Sequence, residues 1–350
     1  MKYTSAKLVS CWKWVLGGAA LIVALGWGYG WLYPAYEPPV QPLQNAYHDL
    51  ASLGDQVAQP VGFYGEMPDA AMAKLVATNA PMLDKARRSL RQPSVVALDW
   101  QADEQWFPEI HEPRIGDFRQ LATAFAIEGF EALKKNDSRL AIQCGLDNLL
   151  LAQATSRGGL GSDWLTGAAV YATGLGTLRE ACPQARRDDC QRVLNNLPVM
   201  SDWFDPPPDI TEREWHFWRR INGPYQTFRT ELKYNNNRMN FERELGELVL
   251  LYQASTDLLR FHYAIRLYCI DHDELPSSLG ELLGGPLEAL PRDPFSGQDF
   301  VYLPGQGRYI LYSVGLNRID DGGLVDDEDR TMGDLVLEPS TQTGYGSLQD

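Results

Sequence analysis

Six carboxylates fall within ten residues near the C-terminal end of this chain: Asp320, Asp321, Asp326, Asp327, Glu328 and Asp329. Carboxylates packed this closely repel one another unless they are solvated or neutralised by a cation. Gly322 and Gly323 let the backbone fold back on itself there, and Asn317 adds an amide. Carboxylates, carbonyls and amides are the oxygen donors that calcium takes, about six to eight at a time. The spacing is not that of an EF-hand. The alternative is a solvated acidic surface loop. Other chemistry is sparse. His48, His111, His216, His262 and His272 are scattered, and no HExxH, GxSxG or phosphate-loop motif occurs. Glu214-Trp215-His216 suits a helix face better than a site, and His272 suits packing or capping at a helix exit. Gly158-Gly159-Leu160-Gly161 lacks the preceding strand that a phosphate loop needs. No CxxC and no histidine pair suggests zinc. The catalytic-residue expectation is therefore none.

The segments leading into the acidic loop must position it. A helix with a wide apolar stripe (Leu245, Leu248, Val249, Tyr252, Leu258, Leu259, Phe261, His262, Ile265, Leu267, Tyr268) runs into Asp271-His272-Asp273-Glu274-Leu275-Pro276. Then follow Pro291-Arg292-Asp293-Pro294-Phe295-Ser296-Gly297 and Tyr309-Ile310-Leu311-Tyr312-Ser313-Val314-Gly315. Residues 299–303 and 308–313 are expected as strands joined by a hairpin at Gly305-Gln306-Gly307, with Leu335-Val336-Leu337 as a third. This ordered set resembles the globular end of the major pseudopilin of type II secretion. It covers roughly a quarter of the chain and implies an α+β pilin-like unit whose acidic loop binds calcium. The ligands so implied are the Leu316 carbonyl, Asn317, Asp320, Asp321, and Asp326 or Asp327. The chain departs from the family at its head, where no prepilin processing motif occurs. About 200 residues separate its N-terminal apolar run from the C-terminal helix. The resemblance therefore implies a pilin-like module used in an accessory role, and a bacterial source.

Lys2, Lys7 and Lys13 precede an uncharged run from Trp14 to Tyr33, long enough to span a bilayer as a helix. Lysines before the run and acids after it place the N-terminus in the cytoplasm. Trp14, Trp27 and Trp31 are expected as membrane-interface anchors. No small-residue cleavage site follows the run, which favours an uncleaved anchor over a signal peptide. Pro34, Pro38, Pro39 and Pro42 then suggest a stiff stalk. The formal net charge of −15 and pI of about 4.8 exclude nucleic acid as a partner by charge.

From Arg114 onward the pattern is helical. Leu121, Phe125, Phe130 and Leu133 are followed after a Lys134–Asp137 turn by Leu140, Ile142, Leu146, Leu149 and Leu150. This is one hairpin of tetratricopeptide length, without a second copy. Asp188 is expected to cap a helix over 190–197. Thr211 is expected to cap an aromatic helix that ends at Asn222-Gly223-Pro224. Four of the five cysteines lie beyond the apolar run. Cys182 and Cys190 flank a short polar loop and are expected to form a disulfide; Cys144 and Cys269 pair only if the helical and C-terminal units pack together.

The expected fold class is an N-terminal transmembrane helix, an all-α middle domain and a C-terminal α+β pilin-like domain, a long helix on a small antiparallel sheet. The expected organisation is a cytoplasmic end (1–13), an anchor (14–33), a Pro-rich stalk (34–43) and a helical domain (44–202). A linker with an aromatic helix (203–239), the pseudopilin-like unit (240–338) and a tail (339–350) complete it. The expected function is a non-enzymatic, single-pass protein of the bacterial cytoplasmic membrane with its bulk outside the cytoplasm. It is expected to be accessory in a secretion or envelope assembly, to use calcium as cofactor, and to have protein partners. The alternatives are a helical protein-binding scaffold and a metal-dependent extracytoplasmic hydrolase.

Overall fold

The computed structural model describes residues 36–61, 64–197, 203–305, 307–324 and 333–337. The expected anchor at 14–33, with Trp14, Trp27 and Trp31, lies outside them. Helices α1 (Tyr47–Gln56), α2 (Asp69–Ser89), α3 (Glu112–Lys134), α4 (Ser138–Ser156), α5 (Gly161–Ala181) and α6 (Arg187–Asn196) form the helical layer. A π-helical turn, Phe107–His111, leads into α3. The helical hairpin is α3 and α4. Its turn uses Asn136 at φ 56°, and the Asp137 carboxylate caps α4 by accepting from the Leu140 N–H. Helices α4 and α5 pack backbone to backbone through small residues. A Cβ on Gly174 would stand 2.9 Å from the Gly145 carbonyl oxygen.

The dominant element is α7, Pro207–His272, 66 residues and about 100 Å long. The expected helix end at Asn222-Gly223-Pro224 is only a local distortion, with Gly223 at φ 77°, and helix continues through Asn235–Asn237. Thr211 sits inside this helix, its hydroxyl donating to the Pro208 carbonyl, because the helix starts at Pro207 with a proline in its first turn. Pro81 likewise lies within α2.

The apolar surface of α7 explains its length. Leu245, Leu259, Tyr263 and Leu267 belong to the core of the helical layer. Ala254, Leu258, Phe261, Ala264, Ile265 and Cys269 belong to a second core, shared with Leu279, Leu282, Phe295, Phe300 and Leu311. A helix apolar on two faces must be covered on both. The Tyr263 hydroxyl donates to the Leu178 carbonyl (2.7 Å), and Tyr171 meets Thr256 (2.7 Å), tying α7 to α5.

The second core is roofed by β1 (Val301–Pro304), β2 (Tyr309–Ser313) and β3 (Leu335–Val336), antiparallel in the order β1-β2-β3. Tyr302 lies opposite Leu311, and Tyr312 opposite Val336. His262 on α7 is buried beneath this sheet, its Nδ1 2.6 Å from the Tyr309 hydroxyl. Burial pushes its pKa down to about 4, against a smaller opposite pull from the Leu337 backbone.

The expected fold class is therefore corrected. The described chain is mostly helical with a small three-stranded antiparallel sheet, and no helix among the described residues is long and apolar enough to cross a membrane. Even α7, far longer than a bilayer is thick, carries charges such as Arg213, Glu242, Arg260 and Arg266 along its whole course.

Candidate functional site

The motifs that resemble the pseudopilin set meet in space. Strand β2 ends at Ser313, where the buried Asp293 carboxylate accepts from the Ser313 hydroxyl (2.9 Å), the Val314 N–H (3.1 Å) and the Phe295 N–H (3.0 Å). The Pro291–Gly297 turn thus clamps the exit of the Tyr309–Gly315 strand. The chain then turns at Gly315, φ 67°, where a Cβ would lie 2.5 Å from the Gly333 carbonyl oxygen. Only glycine fits that approach. This pins the start of the acidic loop against its end.

Within the loop each side chain has a place. The Asn317 carboxamide oxygen accepts from the Ile319 N–H, and its amide donates to Asp321 (2.9 Å). Asp320 accepts from the Tyr312 hydroxyl (2.8 Å) and the Gly322 N–H (3.0 Å). Asp334, which returns the chain to β3, accepts from the Asp321 N–H (3.1 Å) and the Gly323 N–H (2.6 Å) through one oxygen. Its other oxygen is buried and has no partner among the described residues, and the residue is only 3% exposed. Burial pushes the Asp334 carboxyl above its ordinary value; the two amide donors pull it down, and the charges on Asp320 and Asp321 push it up again. The Tyr312 hydroxyl is pushed up to about 12, by burial first and by Asp320 next.

The structure thus gathers Asn317, Asp320 and Asp321 around a fourth residue, Asp334, that the sequence analysis did not select. Asp334 stands apart from the carboxylate run, and only the antiparallel return to β3 brings it back. Leu316 packs against the second core. Asp326 and Asp327 lie outside the described residues. Among the described residues, no group of three or more His, Cys, Asp or Glu side chains is placed to hold a metal ion. The donors gathered here are hard oxygens of the kind calcium takes, and one buried carboxylate oxygen lacks a partner among the described residues.

The helix-exit residues are structural. Asp273 adopts φ 59° as the left-handed cap of α7, its N–H donating to the Cys269 carbonyl. Asp271 pairs with Arg187 (2.8 and 3.0 Å), which holds its carboxyl below the usual range. His272 Nδ1 lies 3.0 Å from the Tyr268 carbonyl oxygen, and its ring stacks on Tyr268.

Cys182 and Cys190, expected as a disulfide, are not bonded to each other in the structure. Both are free thiols, and so are Cys144 and Cys269. Cys182 and Cys190 sit in the core of the helical layer, where burial pushes both thiols up, Cys190 to about 12. A buried apolar site favours the protonated thiol over the thiolate that begins disulfide exchange. Cys144 donates instead to Glu128 (3.1 Å), beside the Arg87–Asp147 pair (2.7 Å).

One polar pair escaped the sequence analysis. His111 Nε2 lies 2.9 and 3.0 Å from the two Asp163 oxygens, and both residues are fully buried. Asp163 also accepts from the Leu160 N–H at the start of α5, and Trp106 stacks on the His111 ring. The pair ties the π-helical turn to the N-terminus of α5. Their sequence separation of 52 hid it from spacing arguments. No protein-family model, characterised protein or solved structure matches this chain.

Proposed function

We propose that this is a non-enzymatic accessory protein of a bacterial envelope or secretion assembly, whose C-terminal α+β unit is stabilised by calcium at the acidic loop. The observation that carries the calcium part is the buried Asp334 carboxylate. One of its oxygens has no partner among the described residues, and the charges of Asp320 and Asp321 act on it. A buried, crowded carboxylate costs stability unless countercharge arrives. Calcium would supply that charge through Asn317, Asp320, Asp321 and Asp334, with Asp326 and Asp327. The assembly role rests on the resemblance of the ordered motifs, supported by the contact of Asp293 with the end of β2.

Thermal unfolding of Glu37–Asp350 with calcium and with chelator tests the calcium part. A ligand at a hundredfold excess over its Kd adds about 2.7 kcal/mol. The expected result is a calcium-dependent rise in midpoint that Asp320→Ala with Asp321→Ala abolishes. An unchanged midpoint would leave the loop a solvated surface and remove this reading.

A further inference from the structure

Two of the N-terminal prolines, Pro39 and Pro42, lie against the helical layer. They form one wall of a cleft in the helical layer, with a volume of about 420 Å³, within the range of ligand sites. Pro39 and Pro42, the segment 92–95, and Leu150 and Ala154 of α4 line it. The wall is held in place by hydrogen bonds. Gln41 donates to the Val96 carbonyl, and the Asn45 side chain both donates to the Val95 carbonyl and accepts from the Val95 N–H. Gly158, φ 74°, lets Val95 close on this corner: a Cβ there would lie 2.6 Å from the Val95 side chain. Such a cleft is shaped before any ligand arrives.

Its polar groups favour an anion. Two arginines, Arg157 and Arg213, line it against one aspartate, Asp205, a local net charge of +1 on a chain of −15. Arg213 is only 5% exposed; its Nη2 donates to Asp205 (2.8 Å) and its Nη1 to the Gly159 carbonyl, while its Nε is buried without a partner among the described residues. A buried guanidinium N–H without an acceptor is costly, and a carboxylate is its natural complement. Arg157 is exposed at the end of α4. Gln92 and Gln153 add side-chain amides along the same cleft.

We propose that this cleft binds the C-terminal end of an aliphatic peptide chain. The carboxylate meets Arg157 and Arg213, the apolar side chains meet Leu150, Val95 and the prolines, and the backbone amides meet Gln92 and Gln153. The two glutamine amides lining the cleft favour a peptide over a fatty acid, whose tail has nothing to offer them. The site lies in the helical layer, so it stands or falls separately from the calcium loop.

Fluorescence polarisation of a fluorescein-labelled Gly-Ser-Leu-Val-Leu peptide with a free carboxylate, against the same peptide amidated, tests it on the full chain in chelator. The expected result is saturable binding of the acid and about tenfold or more weaker binding of the amide. Arg213 also bridges Asp205 and Gly159, so the exposed Arg157→Gln carries the charge test and is expected to weaken only the acid form. Leu150→Glu is expected to abolish binding. Equal binding of acid and amide, no binding at millimolar protein, or an unchanged Arg157→Gln would each overturn the proposal. Displacement by octanoate at the same concentration as by unlabelled peptide would reassign the site to a lipid and overturn it too.

Discussion

Asp334 and His262 are the buried titratable side chains on which the ion and proton predictions rest. Asp334 holds two loop amides with one oxygen and leaves the other buried, with no partner among the described residues. Asp334→Asn keeps an acceptor for those amides and removes a crowded charge. Its unfolding midpoint in chelator is expected to equal or exceed that of the wild type, while the calcium-dependent increment disappears; thermal scans in both conditions measure each part. His262 acts in the opposite sense to a surface histidine. Its native pKa, held near 4 by burial, lies below the ordinary 6.5 of the unfolded chain. The unfolded chain therefore takes up a proton first as pH falls. The stability associated with a neutral His262 is complete above about pH 6.5 and is lost progressively down to about pH 4, at up to about 1.4 kcal/mol per pH unit. Denaturant unfolding of the wild type and His262→Gln across this window should show a steeper loss in the wild type.

At the scale of elements, the C-terminal unit depends on a few clamps more than on strand length, since β3 has only two residues. Asp293 is the main clamp: it receives three hydrogen bonds at a position 1% exposed. Asp293→Ala leaves buried donors without an acceptor and should cost about 3 kcal/mol or more by denaturant unfolding. Asp271→Ala, which removes only an exposed pair with Arg187, should leave the transition unchanged within error. Much of this level was legible in the sequence. The turn residues Asp293 and Gly315, the two hairpin strands and the helix exit at Asp273 all carry local signals that short-range geometry obeys. The signals at Thr211 and at Asn222-Gly223-Pro224 pointed to helix boundaries that are absent. Their local preferences amount to a few kcal/mol at most, and packing along α7 outweighs them.

At the scale of the whole molecule, α7 is the shared wall of two cores, and this changes what a deletion does. A chain ending at Asn240 would lose Leu245, Leu259, Tyr263 and Leu267 from the helical layer. Each buried apolar side chain contributes about 1.5–3 kcal/mol, so the loss is comparable with the whole stability of a typical domain. The truncated chain is expected to lose its cooperative thermal transition and the near-ultraviolet circular dichroism of its packed aromatics. A native-like transition in that chain would show that the helical layer needs no support from α7. The sequence by itself determined the local elements: the hairpin over Leu121–Leu150, the long apolar-striped helix, the strand pair and the acidic loop. Periodicity and turn chemistry act over a few residues, so one chain reveals them. Only the tertiary structure decided which distant groups meet. It brought Asp334 back to Asp320 and Asp321, buried His111 on Asp163, placed Cys182 and Cys190 in one core, and set Pro39 and Pro42 in one cleft with Arg157 and Arg213. Those pairings depend on which apolar faces bury one another, and the spacing of residues along the chain carries no record of that.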